Sequence, residues 1–542
     1  MSSSNYQISE QERLAAEEFL KRLSKKNSRK EFFYLNRQIA EEFQISCLSQ
    51  SSILNVYKSL IKKGKLKPEQ WLLDVLRKNK IRTLSGVAPI AVLTKNYPCP
   101  GKCVYCPTES KVPKSYNSNE PAVMRAIMND YDAEKQVRAR IKALEATGHD
   151  TSKCEIIVMG GTFSALPRDY QEEFIKGVFR GLNGGDAAAI GAQNFAPLQA
   201  MQKQNETATH RCVGLTLETR PDKIDLDEIK QMRKLGCTRV EIGVQSVFDD
   251  VLRKVKRGHL SKETIKATYL MKEAGLKVCY HMMPNLPGSN LTKDLEMFQE
   301  LFSNPDFQPD QIKIYPCLVT RDAELKKWYE QGKYKPYSDQ ELVKLLAKIK
   351  KIIPTYVRII RLGRDIPAQN IIAGSKFSNL RQLAQNELKK QGAVCHCIRC
   401  REVRDAKDIQ AKLELRNEKY VASGGMEHFL SFEDPGQGKL YAHLRLRIPK
   451  SFLMKKKAIL PVLQDAAIVR ELHTYGEALP IELRKEKASQ HQGLGKKLLK
   501  EAEKLAQKTG CKKMAIISGI GVRPYYRKLG YKLQDGYMVK KI

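Results

Sequence analysis

The sequence predicts an α/β protein: an incomplete (β/α)6 barrel with a basic helical region before it and a smaller α+β domain after it. Three observations carry this. The chain has 542 residues, too many for one ordinary core, so two or three domains are expected. Between about residues 85 and 375 β-like runs alternate with helical segments, which implies parallel pairing. Past about residue 412 the texture changes to strand-like alternation around one glycine-opened helix.

The expected boundaries are 1–80, 81–375, 376–412 and 413–542. In the first segment apolar residues recur at helical spacing through Leu14, Phe19, Leu20 and Leu23. Stretches 34–43 and 52–61 have the pattern of a helix-turn-helix. Lys25, Lys26, Arg29, Lys30, Lys62, Lys63, Lys65 and Lys67 crowd the same segment and are expected to meet RNA. In the second segment the strand-like runs are 87–93, 155–159, 213–219, 239–244, 277–283 and 311–316, with Gly236 and Gly275 closing the helices before two of them. Such units form a barrel open on one side, with reactive groups at the strand C-termini. A charged helical connector follows, carrying Cys395, Cys397 and Cys400. The last segment reads as strands at 440–448 and 467–474, a helix from residue 496, a strand at 513–518 and a hairpin-like tail.

The formal charge is +35, with Lys+Arg 95 against Asp+Glu 60. That excess is a footprint for a polyanion, most simply nucleic acid. No uninterrupted apolar stretch reaches membrane-spanning length, and the start Met1-Ser2-Ser3-Ser4-Asn5-Tyr6 has no apolar signal core. A cytoplasmic protein without a membrane partner is expected. The 13 cysteines include two tight clusters, which points to metal chemistry in a reducing compartment.

The run Cys99-Pro100-Gly101-Lys102-Cys103-Val104-Tyr105-Cys106 spaces its thiols C-x3-C-x2-C. Iron–sulfur clusters usually take four cysteines, so three in one loop leave an iron open for a small molecule. A structural zinc wants four N/S ligands, yet no histidine precedes His149 and the next cysteine is Cys154. The loop resembles that of the radical S-adenosylmethionine (SAM) enzymes. The resemblance implies a 4Fe-4S cluster on Cys99, Cys103 and Cys106, SAM on its open iron, and reductive cleavage to a 5'-deoxyadenosyl radical. Gly160-Gly161-Thr162 follow the second strand. Paired glycines let a ligand approach the backbone, and in radical SAM barrels this position binds the amino end of SAM.

Gln490-His491-Gln492-Gly493-Leu494-Gly495 opens the helix that begins near Lys496. A glycine-rich helix start presents backbone N–H groups to a diphosphate. The pattern Q-x-x-G-x-G resembles the acetyl-CoA loop of GNAT acetyltransferases, and Tyr525-Tyr526-Arg527-Lys528-Leu529-Gly530-Tyr531 matches the tail of that fold. Together the two halves resemble the Elongator catalytic subunit family in its stand-alone prokaryotic form, from about residue 80 to the end. Further matching blocks are Arg82-Thr83-Leu84-Ser85-Gly86-Val87, Glu218-Thr219-Arg220-Pro221-Asp222, Glu241-Ile242-Gly243-Val244-Gln245-Ser246, His281-Met282-Met283-Pro284 and Leu430-Ser431-Phe432-Glu433-Asp434-Pro435. Eukaryotic members space the first two cluster cysteines more widely.

The resemblance implies a tRNA carboxymethyluridine synthase that acts on the wobble uridine, U34, with SAM and acetyl-CoA. It places Lys153 against acetyl-CoA from the barrel side. It lines the pantetheine with the backbone of Glu471, Leu472, His473 and Thr474, and binds the diphosphate with Gln490, Gly493, Leu494, Gly495 and Lys496. Tyr526 then approaches the thioester. A zinc on Cys395, Cys397 and Cys400 is implied, with no fourth ligand apparent and His396 poorly placed to supply one. The implied partners are the tRNA anticodon loop, acetyl-CoA and an electron donor that the sequence does not identify. A protein lysine acetyltransferase is the main rival, and excess positive charge opposes it because basic tails would be repelled. A tRNA-binding scaffold that senses acetyl-CoA is the non-enzymatic one.

Overall fold

A computed structural model of the chain describes residues 8–24, 29–77, 83, 86–184, 197–403, 412–476 and 493–542. Lys25, Lys26, Arg82, Leu84, Ser85, Gln490, His491 and Gln492 lie outside the described residues. The chain opens with helices α1 (Glu10–Arg22), α2 (Arg29–Glu42), α3 (Gln50–Lys62) and α4 (Gln70–Leu76). A capping box starts α1: the Ser9 hydroxyl accepts from the Glu12 N–H at 3.1 Å, and the Glu12 carboxylate accepts from the Ser9 N–H at 2.8 Å. These helices close a core of their own around Ala15, Ala16, Phe19, Leu54 and Tyr57. Leu14 points outward instead, 45% exposed, because the small side chains of Ala15 and Ala16 take the inner face where α1 meets α3.

The central sheet is parallel and runs in chain order through β1 (Ala88–Leu93), β2 (Lys153–Met159), β3 (Arg211–Thr219), β4 (Arg239–Gln245), β5 (Lys277–Met282), β6 (Gln311–Ile314) and β7 (Arg358–Leu362). Its two edges do not pair with each other, so the barrel stays open. All the runs read from the sequence are strands, and β7 is an addition to them. Its arginines conceal it from an apolar reading; Arg358 is spent on an ion pair with Glu402 at 2.7 Å. Crossover helices such as Leu226–Leu235 and Ser261–Glu273 cover the outside. Gly236, at φ 89°, ends the first of them in the left-handed conformation.

The C-terminal sheet contains β8 (Glu414–Ala422), β9 (Gly425–Asp434), β10 (Lys439–Ile448), β11 (Ala466–Thr474), β12 (Lys513–Ile516), β13 (Lys532–Gln534) and β14 (Tyr537–Lys541), in the order β8-β9-β10-β11-β12-β14-β13. The β8–β9 hairpin is absent from the sequence reading, since β8 is an edge strand whose Glu414, Arg416, Glu418 and Lys419 blur the apolar period. Within this sheet β11 and β12 are the parallel pair. Their register ends at Val469↔Ile516 while β11 runs on to Thr474, so the strands part there.

One continuous apolar core runs from Ala88 in β1 to Val539 in β14. Buried ions cross the same junction. Asp310 accepts from Arg470 through both carboxylate oxygens, one of them at 2.9 Å, and lies 3.5 Å from Lys272 and 3.6 Å from Arg445. Arg447 bridges Glu273 at 2.7 Å and Glu427 at 3.0 Å. Lys277 reaches Glu471 at 3.2 Å. Lys277 and Arg358 open their strands and Asp310 directly precedes β6, so the C-terminal domain caps the N-terminal end of the barrel. Among the described residues no helix is long and apolar enough to cross a membrane.

Candidate active site

The cysteine loop leaves β1 at the opposite, C-terminal end of the barrel. Cys99, Gly160, Gly161 and Thr162 line one cleft with Tyr97, Pro98 and Lys114. The Cys99 sulfur is 3.8 Å from the Thr162 hydroxyl, and the Lys114 ammonium donates to the Gly101 carbonyl at 2.8 Å. Gly160 and Gly161 have φ 130° and 95°, which favours glycine, and a Cβ on Gly160 would overlap the Thr94 hydroxyl. Behind the loop, Arg257 donates to the Cys103 sulfur at 3.5 Å and to the Gly243 carbonyl at 2.5 Å. Arg220 donates to the Arg257 carbonyl at 3.0 Å and would block any side chain at position 101.

These guanidinium groups suit an anionic thiolate cluster. Cys103 is drawn down to about 4, first by a hydrogen bond from Cys106, against the opposing effect of burial, and then by Arg257. Cys106 is pushed well above the ordinary thiol value, first by that same bond and then by burial. The loop sulfurs do not gather within the 4.8 Å that unites Cys395, Cys397 and Cys400. Cys103 and Cys106 are nonetheless in hydrogen-bond contact, so the three loop thiols are neighbours without the single-ion packing of the other trio.

Inside the barrel, next to this loop, neighbouring strands bring ionisable groups together. His281 Nε2 lies 2.9 Å from Glu241, which Lys313 also pairs with, and Lys313 is 3.6 Å from Glu218. Tyr116 donates to Glu218 at 2.6 Å, and Arg239 donates to Glu155 at 2.5 Å. Burial works to raise Glu241, but Lys313 and then His281 and Arg239 outweigh it and hold the carboxyl well below its usual range. Glu241, Cys279 and His281 stand close enough to share a metal ion; the Lys313 ammonium already supplies the cation there.

At the other end, Gly493, at φ 71°, leads into the helix Leu494–Lys508. A Cβ on Gly495 would lie 3.5 Å from the Tyr525 hydroxyl, 3.7 Å from the Thr474 hydroxyl and 3.9 Å from Leu472. The expected residues Leu472, Thr474 and Gly495 are therefore together, and Tyr525 joins them. Tyr526 is buried, its ring 5.2 Å from that of Tyr525, and burial raises its hydroxyl. The Glu471 side chain is committed to Arg445 at 2.9 Å and Lys277 at 3.2 Å, which leaves its backbone for a ligand. His473 packs 4.4 Å from Tyr475 and is pushed down to about 3 by burial and then by His443. Lys153 opens β2 beside Arg211, whose Cβ would be 2.5 Å from a side chain at Gly521, so Lys153 stands where the C-terminal domain docks. Burial lowers its pKa. Lys496 follows Gly495 on the same helix.

Cys395, Cys397 and Cys400 cluster at the joint between the domains, where Ile398 N–H donates to Val357 and Val403 N–H donates to Leu440. Cys397 is held well below the ordinary thiol value by hydrogen bonds from Cys395 and then Cys400, and Lys350 stands 3.6 Å from Cys400. A zinc tetrahedron with Zn–S near 2.3 Å needs sulfurs about 3.8 Å apart, which this trio approaches. His396 is exposed and outside it.

Comparisons with known proteins agree with this division. The Radical SAM superfamily profile matches residues 97–301, the Radical_SAM C-terminal domain 309–390 and the Acetyltransferase (GNAT) family 472–531. The tRNA uridine(34) acetyltransferase of Methanocaldococcus jannaschii is 47% identical over 483 residues, covering 86% of this chain and 87% of that protein. Elongator complex protein 3 of Homo sapiens is 42% identical over 490 residues, covering 87% of each. The solved structure of Methanocaldococcus infernus Elp3 with an N-terminal deletion superposes with a TM-score of 0.73 at 43% identity, covering 85% of this chain and 100% of that one. The radical SAM domain brings a 4Fe-4S cluster and SAM, and the GNAT domain brings acetyl-CoA. The chain belongs to the family of the tRNA uridine(34) acetyltransferases and Elongator complex protein 3, enzymes that join a radical SAM domain to a GNAT domain.

Proposed function

We propose that this protein is a tRNA carboxymethyluridine synthase, which uses a SAM-derived 5'-deoxyadenosyl radical and acetyl-CoA to carboxymethylate C5 of the wobble uridine in the cytoplasm. The observation that carries this reading is the single core joining a thiol-and-glycine cleft to an acetyl-CoA-type helix start. Uracil C5 is not electrophilic, so an acetyl-CoA enolate would find no acceptor there, and a radical that takes an acetyl methyl hydrogen is needed instead. When bound, the cluster and SAM supply a carbon radical able to take that hydrogen. Cys99, Cys103 and Cys106 hold the cluster, with Arg257 and Arg220 offsetting its charge. The Gly160-Gly161 backbone receives SAM. The β11 backbone from Glu471 to Thr474 lines the pantetheine, and Gly493 to Lys496 take the diphosphate at a helix N-terminus. Lys153 and Tyr526 flank the acyl group, and Gln490 is assigned to acetyl-CoA by the Q-x-x-G-x-G pattern alone. Zinc on Cys395, Cys397 and Cys400 braces the joint. The +35 charge and the basic helices support binding of a tRNA anticodon loop, whose splayed bases are what proteins read in RNA.

Anaerobic incubation with reductant, SAM, tRNA and acetyl-CoA labelled in both acetyl carbons tests this. Both labels are expected in a uridine carboxymethyl group, read by nucleoside mass spectrometry. Label on lysine would make the protein an acetyltransferase of proteins. Unlabelled tRNA during active SAM cleavage would overturn the reading.

A further inference from the structure

We infer that His281 is the general base that takes the C5 proton of the target uracil after the acetyl-derived carbon has bonded to C5. The inference rests on the carboxymethylation reading. It starts from the chemistry of the product. Addition at C5 leaves that carbon with four single bonds and the unpaired electron on C6. In the proposed step the C5–C6 double bond is restored by heterolysis of the C5–H bond. The proton goes to a base, the bonding pair joins the C6 electron, and one electron leaves to a one-electron acceptor of the iron–sulfur class. A carbon-bound proton needs a positioned basic atom.

His281 provides one at the correct end of the barrel. It is the penultimate residue of β5, next to Gly243 of β4 and Lys313 of β6 in register, and it shares its barrel end with the cysteine loop. Its Nε2 lies 2.9 Å from Glu241. A carboxylate only accepts, so Nε2 carries a hydrogen, and in the neutral ring Nδ1 is then the atom with the lone pair. Among the described residues nothing hydrogen-bonds Nδ1, and the side chain is 16% exposed. The Tyr315 ring stands edge-on at 5.5 Å and fixes the imidazole plane. Lys313 and Arg239, the latter 3.4 Å from Glu241, keep that residue a carboxylate. Beside it, Tyr116 donates to Glu218, and Lys313 is a cation between two carboxylates. The His281–Glu241 pair thus has the form of a base oriented by a carboxylate.

His281→Gln in the reconstituted holoenzyme, with tRNA tritiated at uridine C5, tests the assignment. Carboxymethyluridine and tritium release are expected to fall together by about 100-fold or more while 5'-deoxyadenosine formation stays within about twofold. tRNA bases saturated at C5 and C6, formed when the C6 radical takes an electron from the assay reductant and a proton from water, should accumulate, and imidazole should restore tritium release to His281→Ala. A second readout needs no turnover. In protein labelled with nitrogen-15 histidine, the signal lost in His281→Gln should report a neutral ring protonated on Nε2. A ring protonated on Nδ1 overturns the proposal, as does undiminished tritium release. A parallel loss of tRNA affinity or SAM cleavage makes His281 a structural brace and overturns it too. If the parent enzyme itself yields no carboxymethyluridine, the functional reading has failed; if only the variant is unaffected, the base assignment alone has failed.

Discussion

The barrel is held on two sides by different physics. Toward the C-terminal domain it shares one apolar core and a buried ionic lattice centred on Asp310. Toward the N-terminal helices it meets, among the described residues, a separate core at one turn, where Lys58 donates to the Glu145 carbonyl at 2.8 Å and Arg77 to the Gly148 carbonyl at 3.0 Å. A shared core makes one cooperative unit, whereas surface hydrogen bonds join units that fold separately. The cleft at Cys99 and the helix start at Gly493 are therefore fixed relative to each other, and the basic helices are an attached module. The fixed distance is large. Cys99 and Gly160 lie at the strand C-termini and Lys153 at a strand start, so the seven residues of β2 separate them by about 20 Å, a span the acetyl group must cross from beside Lys153 and Tyr526 before a radical formed at Gly160 could take its hydrogen.

The sharpest break would come at Asp310. Asp310→Ala leaves three buried cations, Arg470, Arg445 and Lys272, with only Glu427 and Glu471 to pair with, a loss of about 3–5 kcal/mol. Urea unfolding should show the barrel and the C-terminal domain losing stability together. Separate transitions for the two would end the idea of one unit. A cavity in the other core sharpens the contrast. Phe19 is fully buried among the N-terminal helices, and Phe19→Ala should loosen that module by about 3–4 kcal/mol. Limited proteolysis should open the first segment while acetyl-CoA affinity, measured by calorimetry, is unchanged. The mildest test concerns charge alone. Neutralising Lys62, Lys63, Lys65 and Lys67 should leave folding intact and flatten the salt dependence of tRNA binding, by about 0.7–0.9 in log–log slope for each phosphate left without its cation. An unchanged slope would make them an ordinary solvated face.

What could be read from the sequence was local. The cysteine loop, Gly160-Gly161 and the Gly493 helix start are each a few adjacent residues whose spacing is itself the geometry. The lumen was only partly legible: Glu218, Glu241 and His281 head blocks that match the family, but with Lys313 they come from four strands, and no spacing in the chain shows that they meet. The ionic lattice was hidden for a different reason. Alternation in β10 assigns Arg445 and Arg447 to solvent, but the barrel covers that face and both are at most 1% exposed. Tyr525 was masked by its neighbour: a pair of tyrosines gives no hint of which hydroxyl turns toward Gly495.

The junction also says what would happen to a severed chain. Cut near the cysteine trio, one half would present an oily wall studded with Asp310, Glu273 and Lys272, and the other a matching wall with Arg445, Arg447 and Arg470. Neither wall is tolerable in water, so the fragments would either recapture each other or precipitate. In assembly terms the protein is a heterodimer whose tether was never removed.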